Sequence, residues 1–228
     1  MVDAHRSTVG AGGRPRDPQI DNAVLAATLD VLDETGYSRL TLEDVARRAG
    51  TSRPAIYRRW PGRAPLVLAA IATRLDVPSP PDTGCTLCDL DESFNVFLAS
   101  YRTIRPDVLS SLYIDCAADP DLRTRYLDTV IEPSRRAVSH TLDRAIARGD
   151  LRANTDREQV LDIVGSLVHY RALFGRRHMT DVEAQSAIET LLKGIAVDYD
   201  ALVEHSETLE QEHVSAHGDH QSRPAAAP

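Results

Sequence analysis

Residues 41–60 constrain the fold more than any other stretch, because they predict two short helices joined by a tight turn. Thr41 is a good cap for the first helix, and Asp44 stands three residues later in a shortened capping box. Apolar side chains then recur at helical spacing, with charged residues on the outer face. Gly50 is expected to end this helix, because glycine readily adopts the conformation that helix ends need.

The next residues predict a second helix, capped by Thr51 or Ser52. Pro54 is tolerated in its first turn because that position needs no N–H donor. Ile56 points inward, whereas the arginines around it need not. Two helices of this length, with a three-residue turn containing glycine, form the helix-turn-helix of DNA-binding proteins, whose second helix enters the major groove. From the spacing alone, an ordinary helical hairpin with solvated arginines is the alternative.

The residue types favour the first interpretation. Between Thr41 and Leu66 the sequence follows the pattern T-L-x-x-V-A-x-x-A-G-x-S-x-x-A-I-Y-x-x-W-x-x-R-x-x-L. This pattern closely resembles the DNA-binding domain of the TetR (tetracycline repressor) family of transcriptional regulators. The resemblance runs from about Asp17 to Leu75. The departures from the family pattern are mild, and they are Thr51, Trp60, Arg63 and Pro65.

The resemblance and the side-chain chemistry together give a set of candidate DNA contacts. Tyr57, Arg58, Arg59 and Arg63 are expected at the surface, facing phosphates and base edges. Two arginines on a stiff stem before the first helix suit the narrow minor groove, although a solvated tail is the alternative there. The full set is Arg14, Arg16, Thr41, Ser52, Arg53, Pro54, Ala55, Tyr57, Arg58, Arg59 and Arg63.

The distribution of charge agrees with a DNA-binding N-terminal end. The net charge of −8 would by itself argue against a polyanionic partner. Residues 1–63, however, carry ten Arg and eight Asp or Glu, giving +2, which leaves −10 for the rest of the chain. An acidic remainder repels DNA and favours docking through the positive end.

The remaining sequence predicts an all-α fold with a second, larger helical domain. We expect disordered tails at 1–13 and 206–228, a DNA-binding domain at 14–63, a connecting helix at 64–76, a loop at 77–86 and a helical domain at 87–205. The connecting helix is apolar on most sides, so two partners must cover it. Capping boxes at Thr155 and Thr180 place helices at about 156–174 and 181–203. No stretch resembles a signal peptide or a membrane span, so we expect a cytoplasmic protein.

The last two helices and the helical domain around them supply two further sets of candidate residues. Their apolar surface is large enough to pair with a second copy as a four-helix bundle, and the resemblance implies this dimer; a core within one chain is the alternative. The predicted dimer residues are Val160, Val164, Leu167, Ile188, Leu191 and Ile195. Helical domains also hold small ligands between helices. The predicted polar lining residues of such a site are Tyr101, Tyr113, Cys116, Tyr126, His169 and Arg171, each of which could equally be a core residue.

No spacing typical of an enzyme site is present, so we expect no catalytic activity. Cys85-x-x-Cys88 lacks a second pair of metal ligands and Cys116 stands alone, so we expect no metal and no cofactor. The sequence therefore predicts a homodimeric repressor that binds a palindromic operator and is released by a small, largely apolar ligand. The alternatives are an architectural DNA-binding protein without an effector and a helical protein-interaction module.

Overall fold

A computed structural model of the chain describes residues 18–175 and 180–218. Within these ranges the fold is all-α, as predicted, and the closest approach to β-structure is one isolated bridge between Leu151 and Ala196. None of the described helices is long and apolar enough to cross a membrane. The helices are α1 (Pro18–Thr35), α2 (Leu42–Arg48), α3 (Arg53–Tyr57), α4 (Arg63–Ala72), α5 (Thr86–Thr103), α6 (Pro106–Ala117), α7 (Pro120–Tyr126), α8 (Glu132–Arg148), α9 (Arg157–Phe174), α10 (Asp181–Ile195) and α11 (Tyr199–Gly218).

Helices α1, α2 and α3 form one small unit around a shared apolar core. Val24 and Val31 of α1, Val45 of α2 and Ile56 of α3 are all buried, and Val45 and Ile56 have no exposed surface. A short 3₁₀ turn at Tyr37–Arg39 joins α1 to α2. Since α1 packs against both α2 and α4, it fixes the position of the helix-turn-helix on the rest of the chain.

Helix α4 is covered on two sides, as its apolar composition predicts. It packs against α1 of the DNA-binding unit and against α6 of the larger domain. Its buried residues occupy most of its circumference, and they are Ala64, Leu66, Val67, Leu68, Ala70 and Ile71. The helix ends at Ala72, earlier than the expected residue 76, and Thr73 caps its last turn by donating to the carbonyl of Ala70.

Helix α5 is the centre of the larger domain, because α8, α9, α10 and α11 all pack against it. Gly165 of α9 lies against Phe97, and a Cβ placed on this glycine would be 3.4 Å from the ring atom Cε1. A Cβ there would already be in van der Waals contact with the ring, so the two helices approach closely at this position. On the opposite flank, the Ser134 hydroxyl of α8 donates to the carbonyl of Val96 at 3.0 Å.

A π-helical turn, Leu127–Ile131, joins α7 to α8 just before Pro133. Pro133 has no N–H to donate to the carbonyl four residues earlier, and its ring needs space in the preceding turn. The wider turn relieves both problems, because its hydrogen bonds run to residues five positions apart. The proline therefore widens the helix without breaking it.

Three sequence expectations about the C-terminal helices are wrong. Asp156, and not Thr155, caps α9, because its carboxylate reaches the N–H of Gln159. The helix expected at 181–203 ends at Ile195, where the backbone carbonyl instead accepts from Arg152 at 3.0 Å. Residues 206–218 are also not a disordered tail, since α11 continues to Gly218. Burial of Leu202 and Ser206 next to α5 explains the continuation. The expected tail residues 1–13 and 219–228 lie outside the described residues.

Ile71→Ala tests the importance of the α4 contacts. Ile71 is fully buried, so the truncation should lower the free energy of unfolding by about 2–5 kcal/mol through lost burial and a residual cavity. The matched control is Ile114→Ala, because Ile114 is 70% exposed and its truncation should cost less than about 0.5 kcal/mol. Urea unfolding followed by circular dichroism measures both. Equal effects of the two substitutions would contradict the assigned role of α4.

Candidate nucleic-acid interface and ligand cavity

The turn between α2 and α3 has the geometry that the sequence predicts. The Thr41 hydroxyl accepts from the N–H of Asp44 at 3.1 Å and donates to its carboxylate at 2.6 Å. Gly50 has a φ of 63°, which is favourable for glycine and strained for other residues. Ser52 then accepts from the N–H of Ala55, which caps α3. The three residues thus fix the angle between the two helices.

Helix α3 presents an exposed face that combines positive charge with an aromatic ring. Arg53, Pro54, Tyr57 and Arg58 are all exposed, and Tyr57 shows 54% of its surface to solvent. A large aromatic side chain with this exposure is typical of a contact surface, because burial of the ring would otherwise be favourable. Ala55 is partly buried beside them, and Thr41 and Ser52 are exposed.

Arg59 and Arg63, which the sequence predicts at the surface facing DNA, are partly exposed and both have carboxylate partners. Arg59 forms an ion pair with Asp21 of α1, and its side chain is 20% exposed. Arg63 donates from Nη2 to a carboxylate oxygen of Asp115 at 2.8 Å. The sequence does not indicate either ion pair, because the two partner carboxylates are distant from these arginines in the chain. Arg14 and Arg16 lie outside the described residues.

Arg63 belongs to a three-residue cluster. Its guanidinium carbon lies 4.4 Å from the centre of the Tyr37 ring, which is a cation–π contact. The Tyr37 hydroxyl donates to the same Asp115 oxygen at 2.7 Å. The hydrogen bonds from Arg63 and Tyr37 hold the pKa of Asp115 below its usual value. Burial, together with the bond to Asp115, raises the pKa of Tyr37. Asp115 is therefore ionised and Tyr37 neutral at neutral pH.

The larger domain contains a cavity of about 410 Å³ between α5, α6, α9 and the π turn. Tyr101, Tyr113, Tyr126 and His169, four of the six predicted polar residues, line it. The other lining residues are mostly aliphatic, and they are Leu109, Ser110, Ile114, Leu127, Ile131 and Leu173. The volume lies in the range of small-molecule sites. None of the ten lining residues is Asp, Glu, Lys or Arg, so the walls favour an uncharged molecule.

Several polar groups of the cavity already have partners. The Tyr126 hydroxyl donates to the carbonyl of Leu109 at 3.2 Å, and Nδ1 of His169 contacts the carbonyl of Gly165. Because a carbonyl only accepts, this contact assigns the proton to Nδ1 and leaves Nε2 as an acceptor in the neutral ring. Burial raises the pKa of Tyr101 to about 12, so this phenol stays protonated. Its ring meets His169 edge-on at 5.5 Å.

Two predicted ligand-contacting residues lie elsewhere. Cys116 is completely buried and does not line the cavity, because it lies on the core side of α6. Burial raises the pKa of its thiol to about 11, which makes it an unreactive core residue. Arg171 reaches the opposite side of α9 and lies 3.7 Å from the carboxylate of Glu183. Periodicity did not reveal which side of each helix faces the cavity.

The predicted dimer residues divide into two groups. Val160, Val164 and Ile188 are buried within the chain, so they belong to its own core and are not available to a second copy. Leu167, Leu191 and Ile195 remain partly exposed. The most exposed apolar side chains of α9 are instead Ile163, Tyr170 and Phe174, with Tyr170 at 62% and Phe174 at 75% exposure. We call these three residues the α9 apolar surface.

The two neighbouring cysteines have a local role at the start of α5. Cys85 is buried and precedes the helix, and its sulfur accepts from the N–H of Cys88 at 3.2 Å. Burial, followed by the contact with Cys85, raises the pKa of Cys88 to about 11. The contact therefore acts as a helix cap, and the Cys88 thiol remains protonated at neutral pH.

An exposed, positively charged second helix beside a helical domain with a cavity of ligand size is typical of helix-turn-helix transcriptional regulators. The model of bacterial regulatory proteins of the tetR family matches residues 24–70. The model of the tetracyclin repressor-like C-terminal domain matches residues 80–191. The chain therefore belongs to the TetR family of transcriptional regulators, as its sequence resemblance indicated.

Individual relatives agree with this assignment. The chain is 29% identical over 185 residues to YdeS, an uncharacterized HTH-type transcriptional regulator of Bacillus subtilis, covering 80% of this chain and 93% of the relative. It is 28% identical to the DNA-binding transcriptional repressor TetR of Mycobacteroides abscessus, covering 67% and 82%. Among solved structures, the TetR family transcription regulator SCO0332 has 28% identity and a TM-score of 0.58, covering 77% of this chain and 98% of that one. These relatives are transcription regulators and not enzymes.

Proposed function

We propose that the protein is a homodimeric repressor that binds a palindromic operator in the cytoplasm and is released by a small, uncharged, largely apolar ligand. The observation that carries the DNA-binding part is the exposed face of α3, where Arg53, Tyr57 and Arg58 stand together on a capped helix. The Mycobacteroides abscessus relative is a DNA-binding transcriptional repressor, which supports repression as the direction of control.

Selection of bound fragments from genomic DNA tests the proposal directly. A sequence-specific regulator should enrich a short palindromic sequence, because two symmetry-related α3 helices read two half-sites. Enrichment without a shared sequence would favour the architectural alternative. If the purified protein binds no DNA at all, the alternative of a protein-interaction module is favoured.

Arg58→Ala should weaken binding to the selected duplex. If the guanidinium reads a guanine, the loss should be about 1–3 kcal/mol and selectivity should relax at that base pair. If Arg58 instead contacts a phosphate, the slope of log affinity against log salt concentration should become shallower by about one. Arg123→Ala is the control, because Arg123 is an exposed arginine of α7. Fluorescence anisotropy at several salt concentrations measures both variants, and unchanged affinity and slope would remove Arg58 from the interface.

The α9 apolar surface supports the dimer. An exposed tyrosine and an exposed phenylalanine lie side by side on α9, with their ring centres 5.8 Å apart. Isolated exposed apolar residues are ordinary, but a neighbouring set of large ones usually marks a contact surface. Two copies related by a two-fold axis would cover the same surface on each partner. They would also provide two recognition helices for grooves roughly 34–36 Å apart or a multiple of that distance.

Tyr170→Glu should convert the dimer into a monomer and abolish tight operator binding together. The substitution places a charge on a surface that the dimer would bury, while the exposed site within one chain leaves folding intact. Val77→Glu is the matched control, because Val77 is exposed in the loop after α4. Light scattering and anisotropy give mass and affinity. A monomeric variant that kept full operator affinity would contradict the two-fold arrangement.

The cavity supports the ligand-responsive part of the proposal. Its aromatic and aliphatic walls fit an apolar molecule, and burial keeps the Tyr101 phenol protonated. A ligand that binds only the conformation with poor DNA affinity must weaken DNA binding by the same factor by which DNA weakens ligand binding. A coupling of about 1–3 kcal/mol corresponds to a roughly 5- to 150-fold change in operator affinity.

Ser110→Phe should block this response. The larger side chain would occupy part of the cavity, so a ligand found by thermal-shift screening should bind at least about tenfold more weakly, while operator affinity without ligand stays unchanged. Thr124→Phe places the same ring on the exposed surface of α7 and is the control. A ligand that releases the operator equally from both variants acts outside this cavity.

A further inference from the structure

One carboxylate of the larger domain reaches into the DNA-binding unit. Asp115 lies on α6, and its Oδ2 accepts from Nη2 of Arg63 at 2.8 Å and from the Tyr37 hydroxyl at 2.7 Å. Tyr37 lies in the turn between α1 and α2, and Arg63 is the first residue of α4. The contact is therefore a charged link between the domain that holds the cavity and the domain that holds the helix-turn-helix.

The origin of this carboxylate distinguishes Arg63 from other paired arginines of the helix-turn-helix region. Arg48 pairs with Glu34, Arg53 with Glu43 and Arg59 with Asp21. Each of those carboxylates lies in α1 or α2, so the pairs move with the DNA-binding unit. Asp115 moves with α6 instead. A shift of α6 relative to α4 therefore changes the partner of Arg63 without changing the other three pairs.

We propose that Asp115 withholds the Arg63 guanidinium from DNA, so that operator affinity depends on the position of α6. This inference rests on the proposed DNA-binding function. A carboxylate and a phosphate compete for the same N–H donors of an arginine, and both take them in the same planar geometry. Arg63 is 36% exposed and lies six residues after the last residue of α3. Its guanidinium is held by the ion pair with Asp115, by the contact with the Tyr37 ring and by a long hydrogen bond of 3.5 Å to the carbonyl of Ser38. Its release would add one cation to the DNA-facing end of the protein.

Tyr37 lowers the cost of that exchange. When Arg63 leaves, Asp115 still accepts the hydrogen bond from the Tyr37 hydroxyl, so the carboxylate is not left without a partner. The Tyr37 ring is buried in the core of the DNA-binding unit and does not depend on Arg63 for its position. In the proposed exchange the cluster therefore passes from the observed arrangement, with Arg63 bound to Asp115, to one with Arg63 released.

The same segment of α6 faces the cavity. Tyr113 and Ile114, the two residues before Asp115, both line it. A ligand that moves these side chains acts on the backbone of Asp115 within one helical turn. A ligand that presses Asp115 towards Arg63 would hold the guanidinium in place and lower operator affinity, which is the direction required for release of a repressor.

Asp115→Asn tests the inference without any ligand. Asparagine keeps the shape of the side chain but removes its charge, so Arg63 should become available to phosphate. We expect about 2- to 5-fold tighter binding to the duplex selected by the wild-type protein, which corresponds to the strength of a partly exposed ion pair. The slope of log affinity against log salt concentration should become steeper by about 0.9, because one more phosphate is neutralised.

Two controls separate this effect from a general change of charge. Asp33→Asn removes a carboxylate from another ion pair, because Asp33 binds Arg74 at the far end of α4 at 2.7 and 2.8 Å. It should change affinity less than Asp115→Asn and leave the slope unchanged. In an Arg63→Gln background, Asp115→Asn should have no effect, since the competing cation is absent.

The possible results are distinct. Weaker binding by Asp115→Asn would overturn the inference and assign the pair to holding the DNA-binding unit in a productive orientation. An effect equal to that of Asp33→Asn, or one that persists without Arg63, would also overturn it. If the wild-type protein selects no sequence, the proposed function fails, and a random 30-base-pair duplex still tests the competition through the same affinities and slopes.

Discussion

The burial of α4 is the constraint on which the arrangement of the two domains depends. This helix has apolar side chains on most of its circumference, and six of its residues are buried between α1 and α6. Separation of the domains would expose this surface to water, at a cost proportional to the apolar area. The two domains are therefore not independent units. Any movement of α6 reaches the helix-turn-helix through this packed contact.

Local sequence signals predicted the helix-turn-helix in detail, because each of its determinants acts over a few residues. Thr41 and Ser52 cap helices through N–H groups three positions away, and Gly50 needs only its own backbone conformation. The apolar periodicity of α4 likewise predicted burial on two sides. The same signals gave the all-α fold and four residues of the cavity, although the limits of the proposed domains and the DNA and dimer contacts remain predictions.

Sequence reasoning failed where the answer depends on a partner far away in the chain. Val160 and Val164 share their helix with Ile163 and Tyr170, and composition alone does not tell which set faces the chain's own core. Asp115 is 52 residues from Arg63 and 78 from Tyr37, so no motif joins them. The sequence therefore predicted a DNA contact for Arg63 but not its pairing with Asp115. The boundary after Ile195 escaped prediction as well, because a backbone contact with Arg152 creates it.

The ion pairs around the helix-turn-helix change how DNA association should be understood. Arg48, Arg53, Arg59 and Arg63 all have carboxylate partners in the DNA-free chain. Contact with phosphates therefore exchanges one anion for another, and the net gain per contact is smaller than for a solvated arginine. Since the residues beyond 63 carry a net charge of −10, approach through any other surface is repelled. The protein should therefore approach DNA in one preferred orientation, while electrostatic attraction contributes only modestly to its affinity.

The π turn between α7 and α8 gives the cavity an unusual sensitivity to chain length. Each residue of an α-helix turns the chain by about 100°, so an extra residue in one turn changes the angular phase of everything that follows. Leu127 and Ile131 at its two ends both face the cavity, while Val138 and Leu142 of α8 face the core. Deletion of a single residue from the π turn would rotate the cavity-facing side chains of the turn relative to the core-facing side chains of α8. Insertions and deletions in this turn are therefore a route by which related chains could reshape the cavity while keeping the identity of every residue that lines it.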